Sequence, residues 1–251
     1  MSENRRRVIV ITGGGSGIGR ATAATFAAEG EQVVILGRTE SRIQATAREL
    51  GADVAWYRAD VSQREHVAEA VTYIIEQFGK IDVLVNNAGF VLGATTDMPL
   101  EEAEKAWDDV LDTNLKGSFL MTVAVAPHMP RPGGRIVYIS SIAAYTGGSR
   151  AGSTAYAAAK AGVIGLTHGF ARELSTQGIT VNAIAPGFIA NTEFTGQWSA
   201  ERVNGIVAET PVGRPGKADD IATAIRYLAS PEASFVTGEI LHVNGGWRFG
   251  S

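Results

Sequence analysis

Val8-Ile-Val-Ile-Thr-Gly-Gly-Gly-Ser-Gly-Ile-Gly19 sits near the start of this 251-residue chain and decides its architecture. Five consecutive β-branched residues, Val8 to Thr12, suit a strand buried on both faces, as inner strands of parallel sheets are. The glycines that follow allow a tight turn and let backbone N–H groups approach a ligand closely. Helical spacing begins at Gly17, and a helix N-terminus adds a partial positive charge. Strand, glycine turn and helix in that order form a cradle for a dinucleotide phosphate; the blander reading is a structural turn.

Outward from this stretch the pattern alternates. Strands are expected at 7–12, 32–37, 53–57, 82–86, 135–140, 180–185 and 239–243. Helices are expected at 17–29, 40–50, 64–78, 100–113, 115–129, 154–177 and 218–230. Such alternation predicts an α/β fold: a single-domain, Rossmann-type, doubly wound parallel sheet of about seven strands, with helices on both faces. No repeat or linker divides the chain, so residues 1–251 read as one domain. The longest stretch without a clear strand, about 188–215, carries Phe188, Phe194 and Trp198 among Gly, Thr and Asn. It reads either as a substrate lid or as a helical insertion packed on the core.

Composition narrows the function. Hydrophobic residues make up 45% of the chain and charged residues 19%, a low share that hints at surface buried in an oligomer. The net charge of −4 leaves no footprint for nucleic acid, and the short basic run from Arg5 to Arg7 reads as a solvated terminus. With no cysteine, disulfides, zinc–thiolate sites and thiol catalysis are excluded, which fits a cytoplasmic protein. The four histidines are scattered without ligand spacing, so no metal site is expected. No apolar run is long enough to span a membrane, and no secretory signal is expected.

A second set of residues carries the chemistry. The strand 135–140 runs into Ser140 and Ser141, and Tyr156 and Lys160 stand four apart on one face of the next helix. Carbonyl reduction puts negative charge on oxygen as hydride reaches carbon, so an acid must deliver a proton. A tyrosine, ordinarily near pKa 10, becomes a better acid beside an ammonium that favours its phenolate. A serine hydroxyl can donate to the same carbonyl oxygen. Either Ser140 or Ser141 meets that description from spacing alone. Tyr156 as a plain buried tyrosine is the alternative.

The spacing Thr12-Gly13-x-x-x-Gly17-Ile18-Gly19, with Asp60-Val61, Asn86-Asn87-Ala88-Gly89, Asn114, Ser141, Tyr156/Lys160 and Pro186-Gly187 leading to Thr192, resembles the short-chain dehydrogenase/reductase family over the whole chain. The resemblance implies roles at the matching positions. Gly13, Ser16, Gly17, Ile18 and Gly19 would hold the cofactor phosphates, and Asp60 and Val61 would border the adenine, although Asp60 also reads as a cap of the next helix. Asn86, Asn87, Ala88 and Gly89 would line the cleft and steady the sheet. Pro186, Gly187, Ile189 and Thr192 would meet the nicotinamide end. The family normally uses the second serine of such a pair, hence Ser141. Its asparagine, here Asn114, holds a water beside the lysine; a cap between two helices is the other reading of that residue. Tyr156 and Lys160 would touch the cofactor as well as act in catalysis.

Cofactor choice is read at the end of the second strand. Gly37 stands where an acid would bind the ribose of NAD(H), and Arg38 and Thr39 follow, so NADP(H) is expected over NAD(H). Gly178–Gly187, Thr237-Gly-Glu239 and His242–Gly246 are similar to bacterial 3-oxoacyl-(acyl-carrier-protein) reductases, which implies a 3-oxoacyl thioester substrate. A broad ketone reductase and a secondary-alcohol, sugar or steroid dehydrogenase remain alternatives. So does a redox-silent NADP-binding sensor, although it would not need the Ser–Tyr–Lys set. Ser141 and Tyr156 are 15 positions apart where 13 is commoner in relatives; the added residues fall in 146–153, beside the expected substrate cleft. The same resemblance implies basic residues beside the cleft for carrier-protein docking; one such position, at the end of the catalytic helix, reads Gln177 here, which counts against an acyl-carrier substrate. The small residues Ala157, Ala158, Ala161, Gly162 and Gly165 suit close helix pairing, and the resemblance implies a homotetramer with the C-terminal Gly246–Gly250 segment near a second interface.

Overall fold

The computed structural model describes residues 6–192, 195–196 and 198–249. Arg5 of the basic run, Phe194 of the expected lid and Gly250 of the C-terminal segment lie outside the described residues. Seven strands form one sheet: β1 (Val8–Thr12), β2 (Gln32–Gly37), β3 (Val54–Arg58), β4 (Val83–Asn86), β5 (Arg135–Ile139), β6 (Thr180–Pro186) and β7 (Ile240–Val243). Their order is β3-β2-β1-β4-β5-β6-β7, and every adjacent pair is parallel. The expected α/β doubly wound sheet is therefore the observed one.

Both faces are covered because side chains alternate along each strand. Ile9, Ile11 and Ile35 point into a core closed by α1 (Gly17–Ala28), α2 (Glu40–Leu50) and α9 (Ala218–Leu228). Val8, Val10 and Leu36 point the other way, under α3 (Arg64–Phe78), α5 (Gly117–Val125) and α7 (Thr154–Leu174). The chain winds outward from β1 to β3, then returns to lay β4 on the other side of β1. Connections diverge at that point, and the crevice beyond the C-terminal ends of β1 and β4 is where such sheets bind ligands. No helix among the described residues is long and apolar enough to cross a membrane.

Three segments differ from expectation. The helices expected at 100–113 and 115–129 are one continuous rod: α4 (Leu100–Leu111), a π-turn over Asp112–Lys116, α5, and a 3₁₀ turn over Ala126–His128. Asn114 lies inside that π-turn, so it caps nothing. The segment after β6 contains α8 (Ala200–Glu209), which begins where Ser199 Oγ accepts the Arg202 N–H at 3.3 Å. None of the residues of α8 is fully buried, and Arg202, Val203, Ile206 and Val207 are half-buried along one side. A four-residue helix, α6 (Ala143–Thr146), was also missed.

Candidate active site

The turn after β1 and the turn after β4 are locked together. Thr12 Oγ1 accepts the N–H groups of Asn87 and Ala88, each at 2.9 Å. Asn87 Nδ2 donates back to the carbonyls of Thr12 at 2.9 Å and Gly13 at 3.2 Å. A Cβ on Gly19 would stand 2.3 Å from the Gly13 carbonyl oxygen and 2.6 Å from Asn87 Nδ2, so only glycine lets α1 start this close to the turn. Ser16, the cap residue of α1, makes no side-chain hydrogen bond to the helix. The first-turn N–H groups thus keep their donors for the cleft that Ser16, Gly17 and Ile18 line. Thr192 closes the other side, its Cγ2 3.6 Å from the position of a Cβ on Gly17.

The remaining expected cofactor residues border the same cleft of about 450 Å³: Arg38, Thr39, Asp60, Val61, Ala88, Gly89, Pro186, Gly187 and Ile189. The Arg38 side chain is exposed at the end of β2, with its guanidinium carbon 5.4 Å from the centre of the Phe90 ring. Asp60 Oδ1 accepts from the N–H and hydroxyl of Ser62, at 3.0 and 2.7 Å. The cap position of α3 belongs to Gln63, so the capping reading of Asp60 fails. Asn86 is not among the residues that line the cleft, but it ties the sheet to a helix. It is buried, donates to Thr122 Oγ1 at 3.2 Å, and so belongs to the core polar network that Thr122 continues to the Tyr138 hydroxyl at 2.6 Å.

At the chemical end, the two serines separate. The Ser140 hydroxyl is turned to the Lys160 carbonyl oxygen at 2.8 Å and so ties β5 to α7. Ser141 Oγ accepts the Ala143 N–H at 3.1 Å and hydrogen-bonds the Tyr156 side chain. Lys160 Nζ lies 5.5 Å from the Tyr156 ring centre and donates to the Ile139 carbonyl oxygen at 2.8 Å. Asn114 Nδ2 donates to the carbonyls of Phe90 and Val110, each at 3.0 Å, while its Oδ1 is buried and makes no hydrogen bond to the protein. A Cβ on Gly89 would stand 2.3 Å from that Oδ1 and 3.4 Å from Lys160 Nζ, which places all three at one point. All four expected catalytic residues therefore meet.

Their ionisation differs from expectation. Burial pushes the Tyr156 phenol up to about 12, opposed by its hydrogen bond with Ser141. Burial pulls the Lys160 ammonium down to about 8. The expected lowering of the phenol by the lysine is not seen; desolvation dominates, opposed by Ser141.

The far side of the cleft was legible in sequence as a lengthened loop and a long segment after β6. Gly148, Ser149, Arg150 and Ser153 from that loop line the cleft, and the Ala94 N–H bonds the Gly152 carbonyl at 3.2 Å, which ties the loop to the segment after β4. Phe188 and Trp198 stack with centroids 5.2 Å apart and planes at 14°. Arg202 of α8 covers Trp198 at 3.7 Å and donates to Ser149 Oγ at 3.1 Å, so it links the expected lid to the added loop. Trp247 and Arg248, from the segment expected near a second interface, also line the cleft.

Known proteins agree with this geometry. The family model described as enoyl-(acyl carrier protein) reductase matches residues 13–248. The 3-oxoacyl-[acyl-carrier-protein] reductase FabG of Escherichia coli K12 is 40% identical over 241 residues, covering 96% of each chain. Its namesake from Thermotoga maritima is 39% identical over 244 residues, covering 96% of this chain and 97% of the relative. A crystal structure from Brucella melitensis, described as a short-chain dehydrogenase/reductase of glucose/ribitol dehydrogenase type, superposes with a TM-score of 0.90 at 34% identity, over 97% of each chain. Motif order, sheet order and these likenesses agree: the chain belongs to the short-chain dehydrogenase/reductase family of oxidoreductases.

Proposed function

We propose that this protein reduces a ketone to a secondary alcohol with NADP(H), using Tyr156 as proton donor. The observation that carries this reading is the convergence of Ser141, Tyr156 and Lys160 beside the crevice where the strand order reverses. The crevice fits a dinucleotide: uncapped first-turn N–H groups of α1 suit a pyrophosphate, and Gly19, buried behind the cleft, lets α1 pack against the turn that holds them. Arg38 and Thr39, with no acid at Gly37, favour a 2′-phosphate. When bound, the nicotinamide supplies hydride to the carbonyl carbon.

The chain's own residues handle the oxygen. Ser141 accepts the Ala143 N–H, which directs its own proton outward, to Tyr156 or to a carbonyl oxygen held beside it. A phenol at about 12 holds its proton throughout the neutral range, as an acid must before reaction. As charge builds on the substrate oxygen, Tyr156 gives up that proton, and the Lys160 ammonium steadies the phenolate left behind. The buried Asn114 Oδ1, facing the Gly89–Lys160 point, suits a water that returns a proton to this group.

A 3-oxoacyl thioester is the substrate class that the relatives' names favour. Gln177, which stands at a docking position, accepts from Arg131 Nε at 2.6 Å, so a cation from another element stands beside it. We assign residues 188–215, with the Trp198–Arg202–Ser149 link, as the substrate lid, and the assembly as a homotetramer. NADPH oxidation tests the reading with acetoacetyl-CoA, simple ketones and crotonyl-CoA as a C=C control. Turnover of the oxo compounds and not of crotonyl-CoA is expected, with Tyr156→Phe slower by about 10²–10⁴-fold. Tight NADPH binding with no carbonyl reduced would favour the sensor instead.

A further inference from the structure

The charges that line the cleft are unevenly answered. At the cofactor end Arg38 and Arg42 face a site suited to phosphates, and Asp60 is the only carboxylate among the described residues that line the cleft. The substrate side carries two further cations, Arg150 and Arg248, and no acid among its described residues. Arg150 is exposed and well hydrated. Arg248 is different.

The backbone that carries Arg248 is pinned. Asn244 Nδ2 donates to the Arg248 carbonyl oxygen at 2.9 Å, and Asn244 Oδ1 accepts the Gly246 N–H at 3.0 Å. The Asn244 carbonyl oxygen accepts the Trp247 N–H at 3.2 Å, and the Val212 N–H bonds the Gly245 carbonyl at 3.1 Å. The guanidinium carbon lies 4.6 Å from the centre of the Tyr145 ring, a neutral partner that orients a cation without cancelling its charge. Tyr145 in turn packs at a tilt against His242, with ring centroids 5.0 Å apart. Arg248 Nε is buried and makes no hydrogen bond, and neither does the buried Nδ1 of His242. Glu239 exerts a charge effect on Tyr145 and His242, yet among the described residues Arg248 has no ion pair. A cleft-lining guanidinium on a pinned backbone, with one donor buried and unanswered and no ion pair among the described residues, is a costly arrangement unless an anion meets it.

We propose that Arg248 selects the substrate by binding an anionic group, a carboxylate, on the molecule whose ketone meets Tyr156. The wall that bears it is contiguous with the chemistry: Tyr145 belongs to α6, whose first residue, Ala143, holds Ser141 by its N–H. A planar guanidinium engages a carboxylate through two parallel N–H bonds, which fixes orientation as well as affinity. The inference rests on the ketone-reductase reading and refines its substrate class from a neutral acyl chain to one that ends in an acid. That acid is either a free oxo acid or the far end of an acyl thioester.

Matched pairs test it. Acetoacetate and 4-oxopentanoate are compared with their methyl esters, and 3-oxoadipyl-CoA with 3-oxohexanoyl-CoA, which has a methyl group where the first has a carboxylate. The carboxylate member of at least one set is expected to have the higher kcat/KM. Arg248→Gln is expected to cut that preference about tenfold to a hundredfold through KM, and Arg248→Lys to restore part of it. The set that shows the preference identifies the free acid or the thioester. Equal kcat/KM within every pair, or a preference that survives Arg248→Gln, overturns the proposal and leaves the reductase reading intact. Binding is read separately from turnover by the melting shift with butanoate against butanamide. A shift with butanoate alone, lost in Arg248→Gln, supports the anion site even if no ketone is reduced. Equal shifts in the parent protein refute it, even if the variants fail to fold. A change only in oligomeric state would assign Arg248 to a subunit contact and also refute it.

Discussion

Gly89 carries no side chain because Asn114 already occupies the space a methyl group would need. Gly89→Ala would bring a carbon within 2.3 Å of Asn114 Oδ1 and beside Lys160 Nζ. The expected result is a kcat reduced about tenfold or more through misplacement of both, measured as NADPH-dependent ketone reduction; a parent-like kcat would disconnect that asparagine from the chemistry. Lys160 makes a prediction of its own. Burial holds its ammonium at about 8, against 10.5 in the unfolded chain. Below pH 8 it is charged in both states, and the folded protein bears the full cost of burying it. Between 8 and 10.5 the unfolded chain keeps a proton that the folded protein has released, so this group makes stability rise with pH across that window. For Lys160→Met, the melting temperature of the variant minus that of the parent is expected to be highest below pH 8 and to fall towards pH 10.5. A difference independent of pH would contradict the burial argument. Cofactor choice also belongs to single residues. Gly37→Asp would add a carboxylate near the ribose, but its Cβ would stand 2.8 Å from Ile43 Cγ2 and disturb α2. Arg38→Ser is the cleaner probe: the NADPH-over-NADH ratio of kcat/KM should fall at least about tenfold, since one charge-assisted contact is lost.

Elements reveal what periodicity cannot. The rod from α4 to α5 reads in sequence as two helices because Asp112-Thr-Asn-Leu-Lys116 interrupts a clean apolar stripe. In the structure the interruption is one extra residue absorbed as a π-turn. That residue turns Asn114 so that its amide reaches Phe90 O and its Oδ1 faces Gly89. Deleting Asp112 would restore α-helical register and rotate Asn114 away. A folded protein with activity lowered about a hundredfold is expected, with circular dichroism to confirm the fold; full activity would show that the π-turn is incidental. The strands and the glycine turn were legible because they use period-two burial and backbone freedom, both local properties. Ser140 and Ser141 were not separable from sequence, since which hydroxyl faces the cleft depends on where β5 ends against α7. Asp60 read equally as a cap because the start of α3, three residues later at Gln63, is set by tertiary packing. Arg248 was legible only as part of a segment expected near a subunit interface: its place in the cleft depends on Tyr145, far earlier in the chain, and on a turn pinned by Asn244.

Across the whole molecule the small residues of α7 divide by face. Ala157 is buried, and Gly162 makes room for Leu115, so these two serve the chain's own packing. Ala158, Ala161 and Gly165 are exposed on the outer face, near the half-exposed Phe119 and Val123 of α5. Gly165→Arg is expected to lower the oligomeric mass in sedimentation without unfolding the protein; an unchanged assembly would remove this face from the proposed interface. The same view exposes the closure of the sheet's other side. Phe26 of α1 shares its core with Ile221 and Ile225 of α9, and Arg7 beside β1 donates to the Ala229 carbonyl at 2.8 Å. During synthesis, α1 therefore leaves the ribosome long before α9, which covers it. At about 5–20 residues per second, the greasy flank of α1 stays open for roughly 10–40 s. A nascent chain of this design needs shelter for its first half, and a stalled ribosome would present chaperones with a dinucleotide cradle that cannot yet close.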